Sequence, residues 1–253
     1  MLTIFFSGTG NTEYVAKKFS QLIGGGCYSI EEKVDFKKLL TEADTIAVCY
    51  PIYGSCIPMI MRDFIIANKE YINGKKLVIL STQNIFSGDG ARVLTDDLCD
   101  IDYSVVYAEH INMPNNISNL FFYPATKANK IDKYLKKADK KLNKIVENIR
   151  SGKVKKRGFN LFSQGSGFVT QRYFFRKVQK VKAMDVRISS SCIACGICVK
   201  VCPMNCLAME TGKVVQKSSC TFCYRCVNKC PAKAITVALH GKVGSQYKGI
   251  KKH

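Results

Sequence analysis

The sequence predicts an α/β protein, a doubly wound parallel sheet followed by a second, small α+β domain. In residues 1–126 short apolar runs alternate with amphipathic stretches, which is typical of strands separated by helices in a parallel sheet. Nine of the 13 cysteines lie between Cys192 and Cys230, so the last part of the chain is built differently. We divide the chain into a first domain at 1–150, a basic linker with a docking helix at 151–185, a cysteine-rich domain at 186–238 and a basic tail at 239–253, which we expect to be mobile.

The first domain contains five runs that predict strands and four stretches that predict helices. The strands are expected at 2–6, 27–30, 45–50, 76–81 and 105–109. The helices are expected at 12–23, 57–67, 91–98 and 128–150. In the last helix six apolar residues share one face, namely Ile131, Leu135, Ala138, Leu142, Ile145 and Ile149. A further short helix is expected where Phe174, Phe175, Val178 and Val181 recur at helical spacing.

Composition excludes several classes of protein. Hydrophobic residues make up 47% of the chain, which excludes an intrinsically disordered protein. The longest stretch without a charged residue, 45–61, is interrupted by Pro51, Gly54 and Pro58, so no transmembrane helix is expected. No basic leader precedes the short apolar run at the amino terminus, so we expect a cytoplasmic protein. In that compartment clustered cysteines indicate metal ligation rather than disulfides.

Charge separates the chain into two unlike parts. Residues 1–126 contain 10 Lys and Arg against 14 Asp and Glu, whereas residues 127–253 contain 29 against 5. Three interpretations follow: the basic part docks on the first domain, it docks on an acidic redox enzyme, or it binds nucleic acid. The first domain offers an acidic group made of Asp89, Asp96, Asp97, Asp100 and Asp102. No nucleic-acid-binding motif is present, so a nucleic-acid partner is not expected.

Two cysteine runs repeat each other. The first, CIACGICVKVCP, holds Cys192, Cys195, Cys198 and Cys202, and the second, CTFCYRCVNKCP, holds Cys220, Cys223, Cys226 and Cys230, each 28 positions after its counterpart. Three cysteines at two-residue gaps bind one iron–sulfur cube, while the fourth, followed by proline, points to the neighbouring cube. We therefore expect one 4Fe-4S cluster on Cys192, Cys195, Cys198 and Cys230. A second is expected on Cys220, Cys223, Cys226 and Cys202.

The cysteine-rich segment resembles bacterial-type ferredoxins with two 4Fe-4S clusters, a family whose role is low-potential, one-electron transfer. A pair of zinc sites is the alternative, because CxxC pairs also bind zinc, but it leaves the repeated pattern CxxCxxCxxxCP unexplained. A ninth cysteine, Cys206, has Ala234 at the equivalent position of the second run. We expect Cys206 to be a packed residue rather than a ligand.

A glycine- and hydroxyl-rich turn, SGTGNT, joins the first predicted strand to the first predicted helix. Hydroxyls, backbone N–H groups and a helix N-terminus together form a phosphate site. The dinucleotide motif GxGxxG fails at Glu13, and no GK[ST] sequence is present. The turn resembles the flavodoxin pattern [ST]xTGxT, matched by Ser7, Thr9, Gly10 and Thr12. The resemblance implies FMN at the carboxyl ends of the strands, strand order 2-1-3-4-5, and a phosphate loop of Ser7, Gly8, Thr9, Gly10, Asn11 and Thr12.

Two further loops occupy the places where a flavodoxin holds the flavin ring. The first follows the third strand and contributes Pro51, Ile52, Tyr53, Gly54 and Ser55. The second follows the fourth strand and contributes Thr82, Gln83, Phe86, Ser87 and Gly88. The chain has no Trp, so Tyr53 and Phe86 are the residues expected to stack on the ring, the alternative being that they only cap the sheet. Cys56 lies nearby and is expected to be inert.

The order of the two parts resembles flavodoxin–ferredoxin fusion proteins of anaerobic bacteria. The resemblance implies an electron-transfer protein that passes electrons between FMN, two 4Fe-4S clusters and an external redox partner, which we expect to be acidic. The alternative is a flavin-dependent reductase of a small substrate. The three histidines, His110, His240 and His253, form no evident acid–base set, so no catalytic residue is assigned. No membrane partner is expected.

Overall fold

A six-stranded parallel sheet forms the first half of the molecule. The computed structural model describes residues 1–120 and 122–250. The strands are β1 (Leu2–Phe5), β2 (Gly26–Ser29), β3 (Thr45–Pro51), β4 (Lys75–Gln83), β5 (Tyr103–Asn112) and β6 (Lys155–Lys156). Their order is β2-β1-β3-β4-β5-β6, which confirms the predicted fold class and adds one strand to the predicted order.

Helices cover both faces of this sheet. They are α1 (Asn11–Ile23), α2 (Phe36–Glu42), α3 (Met59–Ala67), α4 (Lys69–Ile72) and α5 (Ile131–Arg150). Successive strand residues point to opposite faces, so Ile4 packs in the core below α3 and Phe5 in the core below α1 and α5. Both faces are buried, which explains why the strands read as continuous apolar runs.

Several predicted elements differ in the structure. Residues predicted as a helix at 91–98 form a 3-10 helix, Val93–Leu98, because Arg92 and Thr95 donate their amides to carbonyls three residues back. The helix predicted at 128–150 begins with a 3-10 turn before α5. The short helices α2 and α4 were not predicted, since each buries a single residue, Leu40 and Ile72 respectively.

The segment predicted as a linker and docking helix is more structured than expected. Its first part supplies β6, which pairs with β5. It continues as α6 (Leu161–Gly167), a π-helical turn (Phe168–Arg172) and α7 (Tyr173–Lys182). We call residues 161–182 the outer helix segment. Its Arg172 forms a buried ion pair with Asp89 of the first domain, while its Phe175 ring packs against Phe222 of the cysteine-rich half, with the ring centroids 6.1 Å apart. The segment therefore contacts both halves of the molecule.

The cysteine-rich half folds as two related units. Strand β7 (Arg187–Ile188) pairs antiparallel with β10 (Ile235–Thr236), and β8 (Leu207–Glu210) pairs with β9 (Lys213–Gln216). Helices α8 (Ile197–Lys200) and α9 (Arg225–Lys229) lie inside the two cysteine runs, and their first residues are 28 positions apart, as the cysteines are. The left-handed residues also repeat, with Ala194 matching Phe222 and Asn205 matching Lys233. The duplication seen in the sequence is therefore a duplication of backbone structure.

The carboxyl-terminal tail is ordered where the structure describes it, so the expectation of a mobile tail is wrong for residues 239–250. Tyr247 is buried; its hydroxyl donates to Asn11 Oδ1 at 2.6 Å and its amide to Asn228 Oδ1 at 2.7 Å. One residue of the tail, through its hydroxyl and its backbone amide, thus contacts both halves. Residues 251–253 of the predicted tail lie outside the described residues. Within the described part, no helix is both long and apolar enough to cross a bilayer; the cytoplasmic location stays a prediction.

Candidate functional site

A cavity of about 660 Å³ opens at the carboxyl edge of the sheet, and we call it the edge cavity. Thirteen of the residues predicted to bind a cofactor line it. They are Ser7, Gly8, Thr9, Asn11, Thr12, Pro51, Ile52, Tyr53, Gly54, Thr82, Gln83, Phe86 and Ser87. Parallel strands end at one edge, so three loops far apart in sequence meet there. None of the lining residues that the structure describes carries a charge.

The phosphate loop, residues 7–12, is held in place by its own hydrogen bonds. Gly10 adopts φ 98°, a conformation that glycine reaches without strain, and its amide donates to Ser7 Oγ at 3.1 Å. The hydroxyls of Thr12 and Thr82 lie 2.8 Å apart, which connects the loop to the end of β4. Asn11 is fully engaged, since its amide donates to the Pro114 carbonyl at 2.8 Å. Asn11 therefore supports the loop, while Ser7, Thr9 and Thr12 line the cavity.

Three of the predicted binding residues do not line the edge cavity. Gly10 lies at the turn itself. Ser55 is buried, and its hydroxyl donates to the Ser87 carbonyl at 2.8 Å, which joins the two loops predicted around the flavin ring. Gly88 lies against Gly167, so closely that a Cβ there would meet the Gly167 Cα at 2.5 Å. These residues shape the loops rather than contact the cavity.

More than half of the cavity lining was not predicted. The loop after β5 contributes Met113, Pro114, Asn115, Asn116 and Ile117. The position of that loop was a usable signal, because β5 ends at the same edge as β3 and β4. The rest comes from Asn84, Ile85, Tyr123, Gln171, Phe174, Phe175, Val178, Phe222, Tyr224, Ala238 and Leu239. Of these, Gln171 and the residues that follow it belong to the outer helix segment and the cysteine-rich half. No sequence pattern predicted that these parts dock at the edge cavity.

The two aromatic residues predicted to stack on a flavin occupy different environments. Tyr53 lies inside, and its buried hydroxyl has no hydrogen-bond partner among the described residues. Burial raises the pKa of Tyr53 well above its usual value. Phe86 is half exposed at the mouth of the cavity. Stacking on a flavin stays a prediction for both. Burial also raises the pKa of the Cys56 thiol, which keeps it protonated and agrees with the expectation that Cys56 is inert.

The eight run cysteines surround two small cavities, and each cavity collects one of the predicted sets. The first cysteine site contains Cys192, Cys195, Cys198 and Cys230. The second cysteine site contains Cys202, Cys220, Cys223 and Cys226. The buried Cys206 also lines it, with its Sγ 3.3 Å from Cys202 Sγ. The crossed arrangement arises because the fourth cysteine of each run, after a helix of four or five residues, lies beside the other run.

Backbone and hydroxyl groups around these sites fit iron–sulfur clusters. The amide of Phe222 donates to Cys220 Sγ and that of Ala234 to Cys230 Sγ, both at 3.3 Å. Such N–H bonds to ligand sulfurs are among the features that tune iron–sulfur sites. Thr221 lines the second cysteine site with a buried hydroxyl that has no hydrogen-bond partner within the described part of the chain. Within residues 1–120 and 122–250, no three His, Cys, Asp or Glu side chains converge closely enough to hold a single metal ion.

Two family models match the chain. The flavodoxin domain model matches residues 2–165, which is more than half of the sequence. The chain belongs to the flavodoxin family. A 4Fe-4S dicluster domain model matches residues 191–236, so the flavodoxin domain is followed by a ferredoxin-type domain, as the resemblance implied. These domain types imply FMN and 4Fe-4S clusters as cofactors, and they support an electron-transfer role based on flavin and iron–sulfur chemistry.

Solved structures that resemble the chain include several flavodoxins. A flavodoxin from the domain Archaea is 16% identical, with a TM-score of 0.40, over 59% of this chain and 97% of that chain. The two-electron reduced flavodoxin of Megasphaera elsdenii is 23% identical, with a TM-score of 0.39, over 56% and 99%. Flavodoxin 2 from Bacillus cereus is 16% identical, with a TM-score of 0.40, over 58% and 97%. A search of the curated proteins found no match.

The flavodoxin domain contacts the ferredoxin-type domain at its phosphate loop. A Cβ added to Gly8 would lie 2.5 Å from the carbonyl oxygen of Cys223. The guanidinium of Arg225 donates to the carbonyls of Ser7 at 2.8 Å and Gly8 at 3.0 Å, and it pairs with Glu31 at 2.8 Å. The phosphate loop is therefore held from outside by the second cysteine run.

The acidic group that was considered as a docking surface is not where the two domains meet. Four of its five members are paired elsewhere: Asp89 and Asp96 with Arg92, Asp97 with Arg62, and Asp100 with Lys69. Asp89 is completely buried and also pairs with Arg172. One member of the acidic group, Asp89, therefore holds the outer helix segment, while the contact with the ferredoxin-type domain uses Glu31.

Proposed function

We propose that this chain is an electron carrier in which FMN and the second cluster exchange electrons across the domain interface, while the first cluster exchanges electrons with an external redox protein. One observation carries the proposal: Cys223, a member of the second cysteine site, packs directly on Gly8 of the phosphate loop. The first cysteine site instead reaches the surface, where Cys195 is exposed. The two clusters would then lie in series from the surface to the flavin.

The residues of the edge cavity suit FMN. The hydroxyls of Ser7, Thr9 and Thr12, with the first amides of α1, would hold its phosphate, because a helix N-terminus favours an anion without a nearby cation. The unpartnered Tyr53 hydroxyl offers a further hydrogen bond inside the cavity. When bound, FMN carries one or two electrons and each cluster carries one, so the chain would convert between paired and single electrons.

The residues between the two cofactor sites are packed and exclude water. Tyr224 lines both the edge cavity and the second cysteine site, and its neighbour Phe222 lines the edge cavity. Both side chains are buried. Cys220, Cys223 and Cys226 are buried as well. A dry wall of this kind keeps the two cofactors close while shielding them from solvent.

The first cysteine site provides the surface for an external partner. Cys195 is exposed, and Cys192 and Cys230 are half-buried. Three exposed apolar residues lie around this site, namely Ile193, Ile197 and Met209. Exposed lysines flank them at positions 200, 229 and 233. An apolar centre with a basic rim favours an acidic partner, because opposite charge raises the rate of encounter.

One observation favours the second candidate, a flavin-dependent reductase of a small substrate. The edge cavity opens through a rim of apolar side chains that are at least half exposed, Phe86, Phe174 and Leu239. Apolar openings of this kind admit small molecules. A rate of small-substrate reduction that saturates as the substrate concentration rises would support the reductase, provided that this saturation is lost in Phe174→Asp.

An anaerobic reductive titration tests the proposed carrier. Absorbance and EPR would be followed together, with iron, sulfide and FMN counted in the same sample. We expect about eight iron atoms and one FMN per chain, and we expect electrons delivered to the clusters to reach the flavin. Flavin and clusters that titrate without exchanging electrons would contradict the proposal.

A pair of matched variants assigns the phosphate loop. The double variant Ser7→Ala, Thr12→Ala removes two loop hydroxyls and should lose FMN while keeping all iron. The control, Thr41→Ala with Ser151→Ala, removes two exposed hydroxyls that bond only to nearby carbonyls and should keep both cofactors. Retention of FMN by the first variant would show that the loop assignment is wrong.

A further inference from the structure

The outward face of the outer helix segment is unusually apolar. Leu161 and Phe162 are 85% and 83% exposed, and Val169 is 65% exposed. Phe168 and Tyr173 continue the same surface, with their ring centroids 6.1 Å apart. Backbone dihedrals stay helical from α6 through the π-helical turn into α7, so these side chains form one continuous strip along the segment.

The inward face of the outer helix segment is held against the first domain by polar contacts. Arg172, which is 5% exposed, pairs with the buried Asp89, and its Nε donates to the Ser55 carbonyl at 3.2 Å. Gln171 donates to the Phe86 carbonyl at 2.9 Å. A buried ion pair with extra hydrogen bonds fixes the orientation of a helix, because breaking it leaves an uncompensated charge. The apolar strip is therefore held facing outward.

Basic residues border the strip at both ends. Residues 148–184 contain ten Lys and Arg and no Asp or Glu. Lys155, Lys156 and Arg157 precede the strip, and Arg176, Lys177 and Lys180 follow it. Lys155 and Arg157 pair with Glu109, but for Lys156 and Lys180 no carboxylate lies within ion-pair distance among the described residues. Both ends of the strip thus carry uncompensated positive charge.

We propose that this face attaches the protein to the surface of an anionic lipid bilayer. An amphipathic helix with Leu and Phe on one face and flanking Lys and Arg lies in the membrane interface, where acyl chains take the apolar side chains and anionic headgroups the cations. This inference does not depend on the proposed function, and it departs from the sequence-based expectation of no membrane partner.

Two other occupants fit the strip less well. A second copy of the chain would bring the same lysines together in a protein of net charge +20, and like charges repel. A protein partner forms its strongest contacts in packed, concave pockets, whereas Leu161 and Phe162 protrude into solvent. Acyl chains accommodate protruding side chains without a complementary surface.

Flotation with lipid vesicles tests the proposal. The full chain should float with vesicles of phosphatidylcholine and phosphatidylglycerol and remain unbound with phosphatidylcholine alone. The double variant Leu161→Ser, Phe162→Ser should weaken this binding roughly tenfold or more, because two large apolar side chains no longer enter the bilayer. The control Val34→Ser, Ile66→Ser, which removes two other exposed apolar side chains, should leave binding unchanged.

A second variant separates the strip from general electrostatic attraction. Lys156→Glu with Lys180→Glu should abolish the preference for anionic vesicles, while the matched reversal Lys136→Glu with Lys140→Glu on α5 should reduce it less. Equal binding of wild type and the Leu161→Ser, Phe162→Ser variant would overturn the proposal, as would absence of binding to anionic vesicles. FMN and iron counts on the same samples show that the variants are folded and keep the test independent of electron transfer.

Discussion

The two cysteine sites share one ligand pattern and one backbone, yet their neighbours differ completely. At equivalent positions 28 residues apart, exposed Ile193 corresponds to buried Thr221, and exposed Ile197 corresponds to Arg225, which binds the phosphate loop. The first site includes the exposed Cys195, whereas Cys220, Cys223 and Cys226 of the second are buried. Cys223 also packs on Gly8 of the flavodoxin domain. The cysteines determine which cofactor each site suits. The residues between the cysteines determine what surrounds that cofactor.

One position shows the difference most clearly. Gly196 in the first run and Tyr224 in the second both adopt left-handed φ angles, 71° and 60°. Glycine adopts this conformation freely, whereas a non-glycine residue is strained by roughly 1 kcal/mol or more. Tyr224 lines both the edge cavity and the second cysteine site. The strained residue, Tyr224, lies where the two cofactor sites meet. The unstrained Gly196 lies in the run whose site faces solvent.

The largest expected effect is the loss of one cluster while the other cluster is retained. Cys202→Ala should remove the second cluster, and Cys230→Ala should remove the first, because each fourth cysteine lies in the opposite site. Iron should fall from about eight to about four per chain in each case. EPR of the remaining cluster identifies which one is lost. Loss of the cluster formed by the same run would contradict the crossed arrangement.

A smaller effect is expected from filling the space between the domains. Gly8→Ala places a Cβ 2.5 Å from a backbone oxygen of Cys223 and 3.1 Å from its Cβ. Neither atom is the end of a flexible side chain, so we expect destabilisation of about 1–3 kcal/mol and a lower affinity for FMN. Denaturant unfolding and fluorescence titration with FMN measure the two effects.

Gly165→Ala is the matched control for that variant. Gly165 lies in α6, and no atom lies within 4 Å of an added Cβ. Since Ala is the better helix former, by roughly 0.5–1 kcal/mol, this variant should be as stable as wild type or slightly more stable. Equal destabilisation by both substitutions would show that the contact between Gly8 and Cys223 is not tight.

Arg225→Ala should weaken the interface without removing a cluster. The variant loses the donors to the Ser7 and Gly8 carbonyls and the pair with Glu31. Charge-assisted hydrogen bonds of this kind contribute about 1.5–3 kcal/mol. We expect full iron content and slower electron exchange between the clusters and FMN. Lys229→Ala, at an exposed residue of the same helix α9, should leave the exchange rate unchanged.

The last expected effect is a pH dependence of the stability, and it originates in the flavodoxin domain. His110 is buried, its Nε2 accepts the Ala91 amide at 3.0 Å, and burial lowers its pKa to about 4. The unfolded chain binds a proton near pH 6.5 and the folded chain does not, so stability is full above pH 6.5 and decreases as pH falls. The loss should reach about 2 kcal/mol at pH 5.

His110→Gln keeps a side-chain acceptor but does not titrate in this range. Its free energy of unfolding should therefore depend less on pH between 7 and 5 than that of the wild type. Parallel pH profiles of the two proteins would show that His110 is not the group responsible.

The sequence predicted what depends on local pattern. The apolar runs predicted five of the sheet strands, since both faces of the sheet are buried. The cysteine spacing predicted both cysteine sites, because ligand geometry fixes the spacing. The wall that Phe175, Phe222 and Tyr224 form around the edge cavity depends on docking between distant segments. Helical spacing predicted the helix that holds Phe175 but not where that helix docks. One signal was available at Arg225: a charged residue stands there where the first run has Ile197.

The central claim is that the second cluster, not the first, exchanges electrons with FMN. Cys195→Ala removes an exposed ligand of the first site and leaves the second site intact. The direct test is the rate of electron exchange between clusters and flavin after rapid anaerobic reduction, measured in this variant and in wild type. The account predicts an unchanged internal rate with slower reduction by an external protein donor. Loss of internal exchange while the second cluster remains assembled would contradict it.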